Sequence, residues 1–499
     1  MKVISSYKVE ILKLHKPLKQ TMAICRSAVS WLLPVIDEEW SDLSMIRQEK
    51  LRFNAAEKLI HGTKKNRAKY PFDAVFPKMP SYLRRAVLQH VIGLVSSAHT
   101  RKSQMAGACE QGTPLSGIGH PGTDPAGMKT ALASVDKRPD TGHYMPVFYR
   151  DNMFRRKEDG VYLKLYNGKD WVWQKVLLKK TDLEYIHRHW TGVKEKSPVL
   201  VKRYKKYYLQ FAFEENVTLR STPVEQRRIC AVDLGINTDA VCSIMTADGT
   251  VAARKFISFP AEKDRLYHVL NRVRKKQRIH GPKSVTGLWA YAKRLNDQIA
   301  VRTASAIVVA KEHDADVIVF EHLEMKGKHS GKNKQKLHLW KKRRVQQTAE
   351  HQAHREGIRI SRICPWGTSA LAYDGSGRLE RNRQNHSLAI FQNGKQYNCD
   401  LSASYNIGAR YYIRELEKSI PETEWSVLAA EVPGVQRRTS SVWADLVRIN
   451  RVMREGADTG SSTGGYPLRG DASDSEEAKL SKEADRRGTR SGCLKQPAA

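Results

Sequence analysis

Three acidic residues stand where an acid is costly. Asp233 closes the apolar run Ile229-Cys-Ala-Val-Asp and opens onto Leu-Gly-Ile-Asn, after which a second apolar run begins. Glu321 ends another such run, Val317-Ile-Val-Phe-Glu, and Asp400 stands in Tyr397-Asn-Cys-Asp-Leu-Ser-Ala-Ser-Tyr-Asn-Ile-Gly. Burying a lone carboxylate is expensive, so each needs hydrogen bonds or a cation. Grouped Asp and Glu, with water and phosphate oxygens, make a hard, oxygen-only site suited to Mg²⁺ or Mn²⁺. Two such ions can generate an attacking hydroxide and stabilise the leaving 3′ oxygen of a phosphodiester. Taken singly, each acid has a plainer use: Asp233 could close a turn, and Asp400 could cap a helix.

The elements carrying these acids are legible. The runs ending in Asp233 and Glu321 read as buried strands, and Val251 to Phe259 as a strand beside the first hairpin. Leu288 to Asp314 has Leu288, Ala292, Leu295, Ile299, Ala306 and Ala310 on one helical face, and Gly357 to Ile363 reads as a further strand. Ser402, Ala403, Ile407 and Ala409 give the segment after Asp400 a small-residue face suited to a helix packed closely on a sheet. The acids are far apart in sequence, so only a fold that returns their strands to one place unites them.

The chain of 499 residues has 86 Lys+Arg against 52 Asp+Glu, a formal charge of +34. That excess repels itself unless a polyanion neutralises it, which makes nucleic acid the expected partner. No apolar run of about 18 residues is present and the N-terminus does not read as a secretory signal, so no membrane partner is expected and the location is expected to be cytoplasmic, in a prokaryotic cell. The seven cysteines form no CxxC pair, and they read as ordinary thiols.

In the front half, residues 2–13 alternate as a strand, 16–61 are helical, and a helix begins at Ser81. Residues 101–141 form a Gly/Pro-rich loop, followed by strand signals at 145–148, 161–166, 172–178, 198–205 and 207–214, which suggest a small barrel completed by the N-terminal strand. Basic and aromatic residues that could meet nucleic acid here are Lys64, Lys65, Arg67, Tyr70, Lys78, Arg84 and Arg85. Downstream, Arg272, Arg274, Lys275, Lys276 and Arg278 crowd one segment, and Lys332, Lys334, Lys341 and Lys342 another just past Glu321.

The order strand-Asp, hairpin strands, helix, strand-Glu, helix, strand, then Asp entering a helix is that of a ribonuclease H-like core. Val232-Asp233-Leu234-Gly235-Ile236, Phe320-Glu321-His322-Leu323 and Asp400-Leu-Ser-Ala-Ser-Tyr-Asn406-Ile407 resemble the three RuvC motifs of transposon-encoded TnpB proteins and of the compact type V CRISPR effectors. The resemblance implies a multidomain α+β chain. Its parts would be a split β-barrel wedge domain (1–15 and 141–222), an inserted helical recognition domain (16–140) and a RuvC nuclease core (223–362 and 394–430). A zinc-ribbon-like insert (363–393) and a largely disordered tail (431–499) would complete it. It implies an RNA-guided DNA endonuclease that holds a guide RNA, reads a short motif beside the target in double-stranded DNA and cuts at a single metal site, with Asp233, Glu321 and Asp400 as catalytic ligands of two Mg²⁺ or Mn²⁺ ions. The family's ribbon carries four cysteines. Only Cys364 and Cys399 stand near this one, so it reads as degenerate and free of zinc, with Tyr373, Leu379, Ile390 and Phe391 as an apolar substitute. The competing expectations are a guided binder that does not cut, a transposase that joins DNA ends without RNA, and a basic RNA-binding or transposition accessory protein with structural acids.

Overall fold

Alternation of apolar and polar residues organises the first part of the molecule. A computed structural model of the chain describes residues 1–63, 67–110, 141–157, 160–322, 342–382, 384–385, 387–437 and 439–459. It divides into two units, Met1–Val217 and Thr218–Ala499. The first unit runs through β1 (Lys2–Glu10), α1 (Lys16–Glu38), α2 (Trp40–Met45), α3 (Glu49–Ile60), α4 (Phe72–Val75) and α5 (Ser81–Glu110), then β2 (Phe154–Lys157), β3 (Gly160–Tyr166) and β4 (Trp171–Val176). It ends with α6 (Lys180–Trp190), β5 (Lys194–Glu195), β6 (Val199–Arg203) and β7 (Lys206–Asn216).

β1 pairs antiparallel with β7 along its whole length, from Lys2 opposite Asn216 to Glu10 opposite Tyr208, so the helices lie between two neighbouring strands of one sheet. Val3 and Val9 on β1, and Leu209, Phe211 and Phe213 on β7, are the inward residues. A second sheet, β2-β3-β4, buries Val161, Leu163 and Leu165 in the same alternating way. α1 turns Leu18, Met22, Cys25, Val29, Leu32 and Ile36 inward at helical spacing, and α5 answers with Leu83, Val87, Val91 and Val95.

α5 runs on to Glu110, where a loop was expected from 101. Residues 145–148 form only an isolated bridge, Val147 to Val199, rather than a strand. The segment 180–190 is a helix that alternation could not reveal, because its Lys, His and Arg residues hide the two buried anchors Ile186 and Trp190. The Trp190 ring lies flat on Phe213 at 4.8 Å.

In the second unit, β8 (Ile229–Asp233), β9 (Ala240–Met245) and β10 (Val251–Ile257) form an antiparallel meander. α7 (Pro260–His280) and α8 (Thr286–Ile307) follow, then β11 (Val317–Glu321), α9 (Lys342–Arg355) and β12 (Arg359–Ile363). The sheet order is β10-β9-β8-β11-β12, with β8, β11 and β12 parallel. Every residue of β8, β9 and β11 is buried, which requires cover on both faces. Ile229, Ala231, Val317 and Val319 face one core, shared with Ile407 and Tyr411 of the long helix beginning at Cys399. Cys230, Val232, Ile318 and Phe320 face the other, shared with Ala300 and Ala304 of α8 and Val345 and Ala349 of α9.

Beyond β12, β13 (Glu380–Arg381), β14 (Leu388–Ile390) and β15 (Gln396–Asn398) make a small antiparallel sheet. Then come α10 (Cys399–Ser419), α11 (Glu422–Glu431) and α12 (Trp443–Thr459). β15 carries the insert to 398, past the expected boundary at 393. Its cluster contains Phe391, Ala372, Ala389 and Cys399, with Tyr373, Leu379 and Tyr397 packed on it. Ile390, expected to join, is exposed because alternation along β14 turns it away from Ala389.

The expected tail from 431 is corrected as well. α12 buries Leu446 and Ile449 in the same core as β8 and β11, and its Trp443 and Asn450 side chains donate to the carbonyls of Gly249 (2.8 Å) and Ala247 (2.9 Å). The described residues end at 459.

Candidate functional site

Strand parity aims two of the acids. Asp233 follows Ile229 and Ala231 by steps of two, and Glu321 follows Val317 and Val319 likewise, so both side chains point to the face covered by α10. The parallel register runs as far as Phe320 beside Val232, so Asp233 and Glu321 stand at the same end of the two neighbouring strands. Asp400 is the second residue of α10 and arrives at the same place. Helix capping falls to Asn398, whose side-chain oxygen accepts from the Leu401 amide at 2.9 Å, so Asp400 is not the cap.

Close packing fixes α10 against the sheet. A Cβ on Gly408 would lie 2.3 Å from Met245 Sδ and 3.3 Å from Ala231 Cβ, so the contact admits glycine and little else. Ser404 shares a 2.5 Å hydrogen bond with Ser243 of β9, and the Tyr412 hydroxyl donates to the carbonyls of Arg227 and Met245. The three acids line one cavity of about 700 Å³, with Pro365, Gly367, Thr368, Arg378 and Arg381 also on its walls.

The electrostatics are those of acids held together. Burial, then the charges of Glu321 and Asp400, push the Asp233 carboxyl well above its ordinary range, against the pull of Arg381. Burial also raises Glu321, opposed by the hydrogen bond from the Thr368 hydroxyl and by the charges of Arg410 and Lys342. Gln346 of α9 donates to the Glu321 carbonyl at 2.8 Å and fixes the end of β11.

The loop bearing Thr368 is itself anchored. Asn406 donates to the carbonyls of Thr368 and Leu371 and accepts from the Trp443 amide. The buried Arg410 guanidinium donates to the carbonyls of Cys364, Trp366, Thr439 and Ser441. Thr368, Asn406, Arg410 and Arg381 were not singled out from sequence as site residues. Nothing in the sequence pairs Thr368, in a turn, with Glu321 at the end of β11.

The donor set is all oxygen and self-repelling, which fits Mg²⁺ or Mn²⁺. Among the described residues no three acidic, His or Cys side chains already stand as a preformed metal-binding group.

The basic residues read from sequence fall into three sets. Arg272, Lys275, Lys276 and Arg278 are exposed on α7, with Arg274 half-buried against Asn271. Arg67 is exposed, and Arg85 is half-exposed beside Glu57 and over the Phe53 ring. The Tyr70 hydroxyl donates to Glu39, and Lys78 pairs with Asp170 at 2.7 Å. Two expectations are corrected. Arg84 is buried and ion-paired with Asp73 at 3.0 Å, which binds its charge inside the fold. Lys342 is buried at the start of α9, where its charge acts on Glu321. Lys64, Lys65, Lys332, Lys334 and Lys341 lie outside the described residues.

Residues 5–167 match the Aq_aa04 family, which is less than half of the chain. The chain is 26% identical over 233 residues to a TnpB-like protein, aq_aa05, of Aquifex aeolicus (strain VF5), covering 42% of this chain and 76% of that relative. Among solved structures, a Cas12f1–sgRNA–target DNA complex aligns over 81% of this chain and 98% of its own, at 14% identity and a TM-score of 0.43. The mini-RNA-guided endonuclease Cas_phi3 aligns over 81% and 92%, at 10% identity and a TM-score of 0.43. Among the described residues no helix is long and apolar enough to cross a membrane. With its three acidic motifs gathered on one cavity, the chain is similar to TnpB-like proteins, as the motifs imply.

Proposed function

We propose that the chain is an RNA-guided DNA endonuclease with a ribonuclease H-like, RuvC-type core in the second unit and a wedge-like barrel interrupted by a helical recognition domain in the first. The observation that carries this reading is the convergence of Asp233, Glu321 and Asp400, from three distant stretches, on one cavity of a chain with formal charge +34. The likeness to a TnpB-like protein supports it.

Asp233, Glu321 and Asp400 would hold the ions. Magnesium or manganese, when bound, supplies activation of water and charge stabilisation at a phosphodiester. The chain's own groups do the rest. Thr368 orients the Glu321 carboxylate by its hydrogen bond, and Gln346 holds the strand end beneath it. Arg378 and Arg381 on the cavity wall meet phosphate oxygens, and the exposed cations of α7 neutralise backbone charge farther along. Guide pairing reads the target sequence, and the protein reads the short adjacent motif.

The test is to express the protein with its flanking genomic DNA, sequence the RNA that co-purifies, and present the complex with matched and mismatched duplexes in Mg²⁺ or EDTA. Cutting of matched DNA alone, and only with Mg²⁺, is the expected result. A discrete RNA with matched binding but no cutting would leave a guided binder. Absence of a discrete RNA would contradict the proposal.

A further inference from the structure

One tryptophan is placed unlike the others. Trp366 is 75% exposed, whereas every other described tryptophan is buried or half-buried. Its ring is in water, but its backbone is tied to the fold. Arg410, itself buried, donates to the carbonyl of Trp366 at 2.6 Å and to that of Cys364 at 3.0 Å, while its other donors grip Thr439 and Ser441 at 2.9 Å. The next residue, Gly367, has φ +77°, and a Cβ there would come within 3.2 Å of the Thr439 carbonyl. The loop is therefore built to present the residue between Pro365 and Gly367 at one position. Those two neighbours line the cavity of Asp233, Glu321 and Asp400, and so do Arg378 and Arg381.

Proteins hold unpaired nucleic acid with cations that follow the phosphates and exposed aromatic rings on which bases stack. Trp366, between two residues of the cavity wall, supplies an exposed ring next to it in the chain. We infer that Trp366 is the stacking platform for a base of the unpaired DNA strand being cut, setting the register in which the next phosphates enter the carboxylate cavity. The inference rests on the nuclease reading and adds to it a positioning residue. Stacking needs a π-face, so shape alone does not replace it. Phenylalanine preserves the function, whereas leucine, similar in apolar size, does not.

The test uses the full chain with its co-purified RNA and the variants Trp366→Phe, Trp366→Leu and Trp366→Ala. Matched duplexes carry one abasic nucleotide at successive positions around the cut. Trp366→Leu and Trp366→Ala are expected to lower the single-turnover rate by about 5- to 150-fold, the range for loss of one base–aromatic stack. Trp366→Phe should stay within a few-fold of wild type. One abasic position should slow the wild type by the same factor and cost Trp366→Ala nothing more. A leucine variant as fast as wild type, or no abasic position with this non-additivity, overturns the inference. Stacking is also read without cutting, from 2-aminopurine at the same positions in EDTA. Quenching by wild type and Trp366→Phe but not Trp366→Leu upholds the platform even if the complex does not cleave, and equal signals from all variants reject it.

Discussion

Asp233 and Glu321 carry raised carboxyl pKa values, and the sign of the consequence is definite. The folded state binds protons there more tightly than the unfolded chain, so the stability they contribute is complete below the ordinary carboxylate values of 3.8 and 4.5 and is lost as pH rises through the raised values. Thermal melting of the metal-free protein should therefore fall as pH climbs above that range. Asp233→Asn should flatten the fall, and Mg²⁺ should restore stability to the wild type more than to the variant. A melting curve that responds to pH identically in both proteins would contradict the shared charge. Thr368 acts through Glu321. Thr368→Val is expected to cost about 10- to 100-fold in cleavage at fixed Mg²⁺, as losses of groups that orient metal ligands do, and raising Mg²⁺ should recover part of it. The acids could be read from sequence because a carboxylate ending an apolar run contradicts its surroundings locally. The burial of Arg84 could not, since Asp73 and Glu57 reach it only through the packing of α3, α4 and α5.

At the scale of elements, the contact between α10 and the sheet sets the position of Asp400. Gly408→Val places two methyl groups against Met245 and Ala231, and overpacking of this kind costs about 1–3 kcal/mol. Chemical denaturation should show that loss, and cleavage should fall further than stability because Asp400 moves with the helix. A stable variant of normal activity would show that the contact does not position the site. The small-residue face of α10 was visible in its sequence, as were β8 and β11. α12 was not expected as a helix on the core, because the chain from 431 was read as tail. α6 was missed because only two of its residues are buried anchors.

For the molecule as a whole, charge is the quantity that acts at a distance. Removing Arg272, Lys275, Lys276 and Arg278 together should weaken guide or target binding and flatten its dependence on salt, since each lost phosphate contact reduces the slope by about one. An unchanged slope would show that α7 faces solvent alone. Most strands of the second unit's central sheet were readable because each buried strand announces itself by composition. The partners of Arg410 and Asn406 were not, since carbonyls carry no sequence signal.

In the proposed nuclease, three carboxylates from three stretches work as one metal-dependent centre. The most direct test of that claim is single-turnover cleavage of guide-matched DNA in Mg²⁺ by the wild type and by Asp233→Asn, Glu321→Gln and Asp400→Asn, each first shown to bind the co-purified RNA normally. All three variants are predicted to bind RNA and matched DNA as wild type does and to cut at background rate. Any one of them cutting at the wild-type rate would contradict the claim.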